Sequence, residues 1–240
     1  AVRAATAKHP LTDETALKQL AKDEFYDIVA SVAAHKNTPS ELLPQLVSRP
    51  EYEVRRGVAA NHNTPPALLE QLSNDTDFEV RAAVAINPNC PAHVMTKLAK
   101  DVEDSVRWSL AQNTTISASL VRSLCQDEHS WVRGHASENL ACPIDCLQML
   151  ANDQSMWVRK DVAGNPRTPI ELLRHLASDE EIKVREAVAD NIATPNDVLM
   201  QLAEDESSLV RASIAMHARA PANALQLLAY DDYEGIRDYV

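Results

Sequence analysis

The apolar positions of this chain fall on a fixed grid. Val or Ile recurs at Val2, Ile28, Val54, Val80, Val106, Val132, Val158, Val184, Val210 and Ile236, always 26 residues apart and without an insertion. Counting columns from that residue, columns 1, 5, 15, 16 and 19 are the apolar ones, and column 19 is Leu in every copy from Leu20 to Leu228. Column 6 is Ala or Ser throughout. Spacings of three and four place such residues on one face of a helix, so each repeat predicts two short helices. A helical pair of this size cannot bury its apolar face alone and must stack on its neighbours. The expected fold is an all-α solenoid without β-sheet, in one continuous domain over residues 1–240. Its nine repeats are 2–27, 28–53, 54–79, 80–105, 106–131, 132–157, 158–183, 184–209 and 210–235, with a partial tenth at 236–240.

The polar columns are as regular. Column 2 is Arg except at Val29, column 22 is Asp except at Arg49, and column 8 is only Asn or His. Columns 11 and 12 usually read Thr-Pro, as in Thr64-Pro65 and Thr168-Pro169. Asp in column 22 is expected to cap the first helix. Thr is expected to cap the second, with Pro at its first helical position, where an N–H is not needed. Pro44 falls inside that second segment, where an α-helix loses about 3 kcal/mol, so a 3₁₀ or irregular segment is expected there rather than in the first helix.

Asp precedes Arg by six residues in repeat after repeat, which predicts a structural ladder: Asp75 with Arg81, Asp101 with Arg107, Asp127 with Arg133, Asp153 with Arg159, Asp179 with Arg185 and Asp205 with Arg211. Arg suits it because its planar fork bonds a carboxylate through two N–H groups and stays charged when partly buried. An anion-binding array is the competing use of an arginine column, and the matched carboxylates argue against it. Asp23 before Val29 and Arg49 before Arg55 stand out as mismatches.

The stretch VREAVADNIATPNDVLMQLAED, from Val184 to Asp205, resembles the repeat of the leucine-rich repeat variant family almost column for column. The resemblance extends over the whole chain. It implies a right-handed superhelix of alternating α- and 3₁₀-helices, and the Asp-to-Arg spacing is also similar to that of HEAT repeats. That family's cysteine-rich iron–sulfur segment has no counterpart here.

Composition narrows the function. Only 4% of residues are aromatic and four are Gly, and no phosphate-binding glycine motif occurs. The net charge is −12, unevenly spread: residues 121–240 hold 20 acidic and 11 basic groups. Such a chain repels phosphate backbones, so nucleic acid is not expected as a partner. No apolar run spans a membrane and no signal peptide opens the chain, so a cytoplasmic, bacterial-type protein is expected. Cys90, Cys125, Cys142 and Cys146 occupy columns that elsewhere hold small or apolar residues, so no metal, cofactor or disulfide is expected. His9, His35 and His217 take the Asn column, as residues that satisfy loop peptides.

The tryptophans break the pattern. Column 26 of one repeat and columns 3 and 7 of the next lie within about 60° of one another on a helical wheel, and the template leaves them free. Trp131 and Trp157 occupy column 26 and Trp108 occupies column 3, in consecutive repeats. Packing on neighbouring helices is one use for these rings, and a partner-binding patch is the other, because clustered exposed aromatics anchor interfaces. The expected patch comprises Trp108, Gln112, Trp131, His135, Glu138, Trp157 and Lys160. The expected function is a non-enzymatic scaffold that binds a protein or peptide. A structural array within a larger protein is the alternative, since the chain starts at column 1 and stops at column 5 without a polar cap. A DNA-repair enzyme of the HEAT-like type is disfavoured by the charge.

Overall fold

A computed structural model describes residues 2–240, which form nineteen α-helices and no strand. In chain order these are α1 Val2–Lys8, α2 Glu14–Leu20, α3 Tyr26–Ala34, α4 Leu43–Leu46, α5 Tyr52–Ala60, α6 Pro66–Leu72, α7 Phe78–Ile86, α8 Ala92–Leu98, α9 Asp104–Ala111 and α10 Ala118–Leu124. They continue with α11 Ser130–Glu138, α12 Ile144–Leu150, α13 Met156–Gly164, α14 Ile170–Leu176, α15 Ile182–Asp190, α16 Asn196–Leu202, α17 Ser208–Met216, α18 Ala222–Leu228 and α19 Glu234–Arg237. The chain divides into two compact units, residues 1–120 and 121–240. In each, the odd-numbered helices pack side by side, one repeat against the next, and the even-numbered helices pack against them. This is an all-helical repeat solenoid.

The apolar columns form the core. Val54, Val58, Leu69 and Leu72 of one repeat and Val184, Val188, Leu199 and Leu202 of another are buried alike. Column 6 is small because it is buried between repeats, as at Ala59, Ala85, Ala163 and Ala189.

The helix signals need correction in three places. Asp in column 22 does not cap the first helix; the N-cap is the residue in column 24, as at Asp77 and Ser155. The Asp carboxylate instead accepts the N–H of that cap residue, 3.0 Å at Asp75 and 2.9 Å at Asp153, and so folds the turn before the helix. Thr in column 11 does not cap the second helix either. Its hydroxyl donates back to the first helix, six residues earlier, as from Thr194 to the Val188 carbonyl at 2.6 Å. Pro then takes the cap position itself, at Pro65, Pro143 and Pro195.

The second segments are α-helical rather than 3₁₀ among the described residues. Around Pro44 the helix starts late, at Leu43, so that Pro44 lies in its first turn. No intrahelical N–H bond is lost there, and the cost expected of an interior proline does not arise.

Candidate functional site

The polar columns are engaged in bonds within and between repeats, though not with the partners that the spacing suggests. Seven guanidinium groups, those of Arg3, Arg55, Arg81, Arg133, Arg159, Arg185 and Arg211, reach forward to the Asp twenty residues later. Arg81 donates to Asp101 through Nε at 2.7 Å and Nη2 at 2.9 Å, and Arg55 does the same to Asp75. Beyond residue 120 the pairs are Arg133–Asp153, Arg159–Asp179, Arg185–Asp205 and Arg211–Asp231, each with Nε at 2.7 Å.

The Asp six residues before the Arg contributes its peptide carbonyl instead: Arg81 Nη1 donates to Asp75 O at 2.9 Å, Arg107 to Asp101 O at 2.8 Å, and Arg133 to Asp127 O at 2.9 Å. One guanidinium thus ties the turn before its helix to the turn that ends its repeat. Burial works against the charged form of Asp75, Asp101, Asp153 and Asp179. The arginine hydrogen bonds and the turn N–H outweigh it and hold each carboxyl below its ordinary value.

The two mismatches are explained by this correction. Asp23 pairs with Arg3 at 3.2 Å, and Arg55 pairs with Asp75, so neither is stranded. Val29 and Arg49 stand twenty residues apart in one repeat, and lose the pair together. Val29 is buried, and Arg49 turns to Glu51 at 3.2 Å. That joint loss is the signal in the sequence that points to the true partner.

Column 8 forms a second ladder. Asn87 Nδ2 donates to Ala59 O at 2.7 Å and to Asn61 O at 3.1 Å, while its Oδ1 accepts the Asn89 N–H at 2.9 Å. Asn191 repeats this with Ala163 and Asn165. His35 imitates it, with Nε2 2.9 Å from His9 O and Nδ1 accepting from Asn37 N–H at 3.0 Å. A ring with its proton on Nε2 supplies the same donor and acceptor as the amide.

What remains unspent lies on the free stripe. Trp131 is 56% exposed and Trp157 is 48% exposed, on α11 and α13, which pack side by side. Four residues after Trp131 comes His135, whose Nδ1 is 3.0 Å from Glu138 Oε2. Lys160 and Asp161 follow Trp157 by three and four residues, with Nζ 3.4 Å from Oδ1. Residues three, four and seven apart share a helix face, so Trp131 shares its side of α11 with Glu138 and Trp157 its side of α13 with Lys160, while the Asp161 side chain is only 15% exposed. Trp108 and Gln112 belong to the other unit. Trp108 is half-buried, and the enclosed Gln112 Nε2 has no hydrogen-bond partner. The structure therefore brings together five of the seven expected residues.

Asp161 was missed, because column 4 otherwise holds mostly small residues and counts as a packing column. Gly134 makes its room: a Cβ there would meet Asp161 Oδ2 at 2.5 Å. Burial, and then the Glu138 charge, push the Asp161 carboxyl up, while the Glu138 hydrogen bond raises His135. No group of carboxylates, histidines and cysteines among the described residues has the arrangement of a metal site. Cys125 and Cys142 are buried with their sulfurs 3.8 Å apart, and Cys146 is buried too. Burial raises the Cys90 thiol to about 12, so it stays protonated.

Residues 52–77 match the family model described as leucine rich repeat variant. A solved structure described as "a leucine-rich repeat variant with a novel repetitive protein structural motif" is 26% identical, with a TM-score of 0.58, over 84% of this chain and 80% of that one. The chain is thus similar to leucine rich repeat variants in one matched repeat and in fold. An engineered protein of known structure is 15% identical over 99% of this chain and 91% of its own, with a TM-score of 0.40. No curated protein sequence matches the chain. No helix among the described residues is long and apolar enough to cross a membrane.

Proposed function

We propose that this repeat array is a non-enzymatic scaffold that binds a protein or peptide across α11 and α13. The observation that carries it is the pair of half-exposed indoles, Trp131 and Trp157, on adjacent helices and in columns that the fold does not use. A buried ring would stabilise the repeat, whereas an exposed one is retained most readily where a partner covers it. The regular polar columns support the same reading. Their arginines and aspartates bond each other, and their asparagines and threonines donate to backbone carbonyls, so these columns serve the stack rather than a reaction.

The test compares the intact chain with a Trp131→Ala, Trp157→Ala double variant in a pull-down, with tryptophan emission read alongside. The expected result is a partner retained by the first and lost by the second, with a blue shift as the indoles are covered. Trp108, half-buried, contributes an emission of its own, so a Trp108→Phe background isolates the two exposed rings. An unchanged set of retained proteins overturns the reading.

A further inference from the structure

The proposed docking face is not simply apolar. Each exposed indole has a carboxylate one or two turns along its helix: Glu138 after Trp131 on α11, and Asp161 after Trp157 on α13. The Gly134 gap lets the Asp161 carboxylate lie over α11, toward the helix that bears Glu138. An apolar segment laid over the indoles would also bury these carboxylates and leave them without solvent or partner, which is costly. A cation suits the face. A guanidinium stacks on an indole and directs its N–H fork edgewise to a carboxylate, which an ammonium does with less geometric fit.

The electrostatics favour the same occupant. Burial first, and then the charge of Glu138, raise the Asp161 carboxyl despite Lys160 at 3.4 Å. A positive charge placed between the two carboxylates offsets the Glu138 charge. Residues 121–240 hold 20 acidic against 11 basic groups, so the surrounding field also draws a basic segment in. The other charges on this face are Lys160 and His135, each already beside a carboxylate.

We propose that the face of α11 and α13 receives an arginine-bearing segment of a protein partner, its guanidinium lying on Trp131 and Trp157 and bonded by the carboxylates of Glu138 and Asp161. This rests on the reading of that face as the docking surface. Specificity for arginine comes from the pairing of a flat ring with a carboxylate beside it.

The experiment titrates the full chain with three ten-residue peptides, in which Arg, Lys or Glu alternates with Ser, and follows binding by calorimetry and tryptophan emission at two salt concentrations. The Arg peptide is expected to bind at least fivefold tighter than the Lys peptide, and the Glu peptide not at all. Trp131→Ala, Trp157→Ala and the Glu138→Gln, Asp161→Asn double variant should each weaken the Arg peptide tenfold or more, with helical circular dichroism unchanged. Equal binding of the Arg and Lys peptides, unaffected by the tryptophan substitutions, means bulk charge attraction alone and overturns the proposal. Tryptophan-dependent binding of the Glu peptide overturns the arginine assignment but leaves the docking face standing. No tryptophan-dependent binding of any peptide defeats this proposal, and the docking face is then judged by the pull-down alone.

Discussion

The same free stripe is filled differently in the two units. In residues 1–120 it borders a groove of about 550 Å³ lined by Ala30, Ala34, Gly57, Ala60 and Ala83, with Asp27, Glu53 and Arg56 at its sides. In residues 121–240 it carries Trp131, Glu138, Trp157 and Lys160, and a groove of about 320 Å³ beside α13 and α15 is lined by the charged Lys160, Lys183, Glu186 and Asp190. The columns beneath are alike: Arg81 and Arg185 make the same bonds to Asp101 and Asp205. Regular columns build the stack, and the free ones make one unit differ from the other.

Breaking the shared part should cost most, and equally in both units. Arg81→Ala and Arg185→Ala each strand a buried carboxylate, so each should lose about 3–5 kcal/mol in urea unfolding. Arg3→Ala strands Asp23, whose side chain is 2% exposed, so a comparable loss is expected there although Arg3 itself is 54% exposed. Acid should act on the ladders alike. Asp75 and Asp101 in one unit, and Asp153 and Asp179 in the other, have folded pKa values below the unfolded one. Their contribution is therefore present above about pH 4, and is lost as pH falls through the lowered folded values. A unit that resists acid markedly better than the other would show that the ladders are not equivalent.

Two glycines sharpen the contrast next. A Cβ on Gly57 would meet the Ala30 carbonyl oxygen at 2.7 Å and the Ala33 Cβ at 3.0 Å, both on α3. Backbone cannot swing aside, so Gly57→Ala should cost about 1–3 kcal/mol through overpacking. Gly134→Ala meets only the end of the Asp161 side chain. That carboxylate can rotate toward solvent, and helix propensity gains about 0.5–1 kcal/mol, so the change should be near neutral. Equal losses at the two sites would mean that Asp161 is held as firmly as backbone.

Asp161→Asn tests whether the stripe of the second unit carries a cost. The folded Asp161 pKa is raised, first by burial and then by Glu138. The stability linked to its protonated form is present below the ordinary carboxylate value near pH 4, and is lost as pH rises through the raised folded value. The amide should therefore raise Tm at neutral pH, with the gain disappearing in acid. A lower Tm at neutral pH would instead assign net stabilisation to the Lys160–Asp161 pair. The smallest effects belong to Trp131→Ala and Trp157→Ala, expected within about 0.5 kcal/mol of the parent. A clear drop in Tm would make the rings packing residues.

Much of this was legible along the chain. Buried columns 1, 5, 16 and 19 follow from helical spacing, since a residue's place on a helix face is settled by its immediate neighbours. The free stripe follows in the same way, and Trp131 and Trp157 are exposed there. Trp108 sits on it too, yet is half-buried. Spacing assigns a direction around one helix, but not what another element brings beside it.

The partners were the tertiary structure's to decide. Six residues separate Asp75 from Arg81 in sequence, yet the Arg81 guanidinium bonds the carboxylate of Asp101 and only the peptide carbonyl of Asp75. Repeat stacking brings both turns to one fork, and the Asp75 carboxylate is already committed to Arg55 and to the Asp77 N–H. Thr194 reaches back to Val188 for the same reason: the turn folds its hydroxyl under the preceding helix. Asp161 reaches across to α11 because Gly134, on that neighbouring helix, leaves the space. Period and polarity determined the helices and which faces they bury; packing determined which polar group meets which, because hydrogen bonds form between atoms close in space and chain separation does not measure that distance.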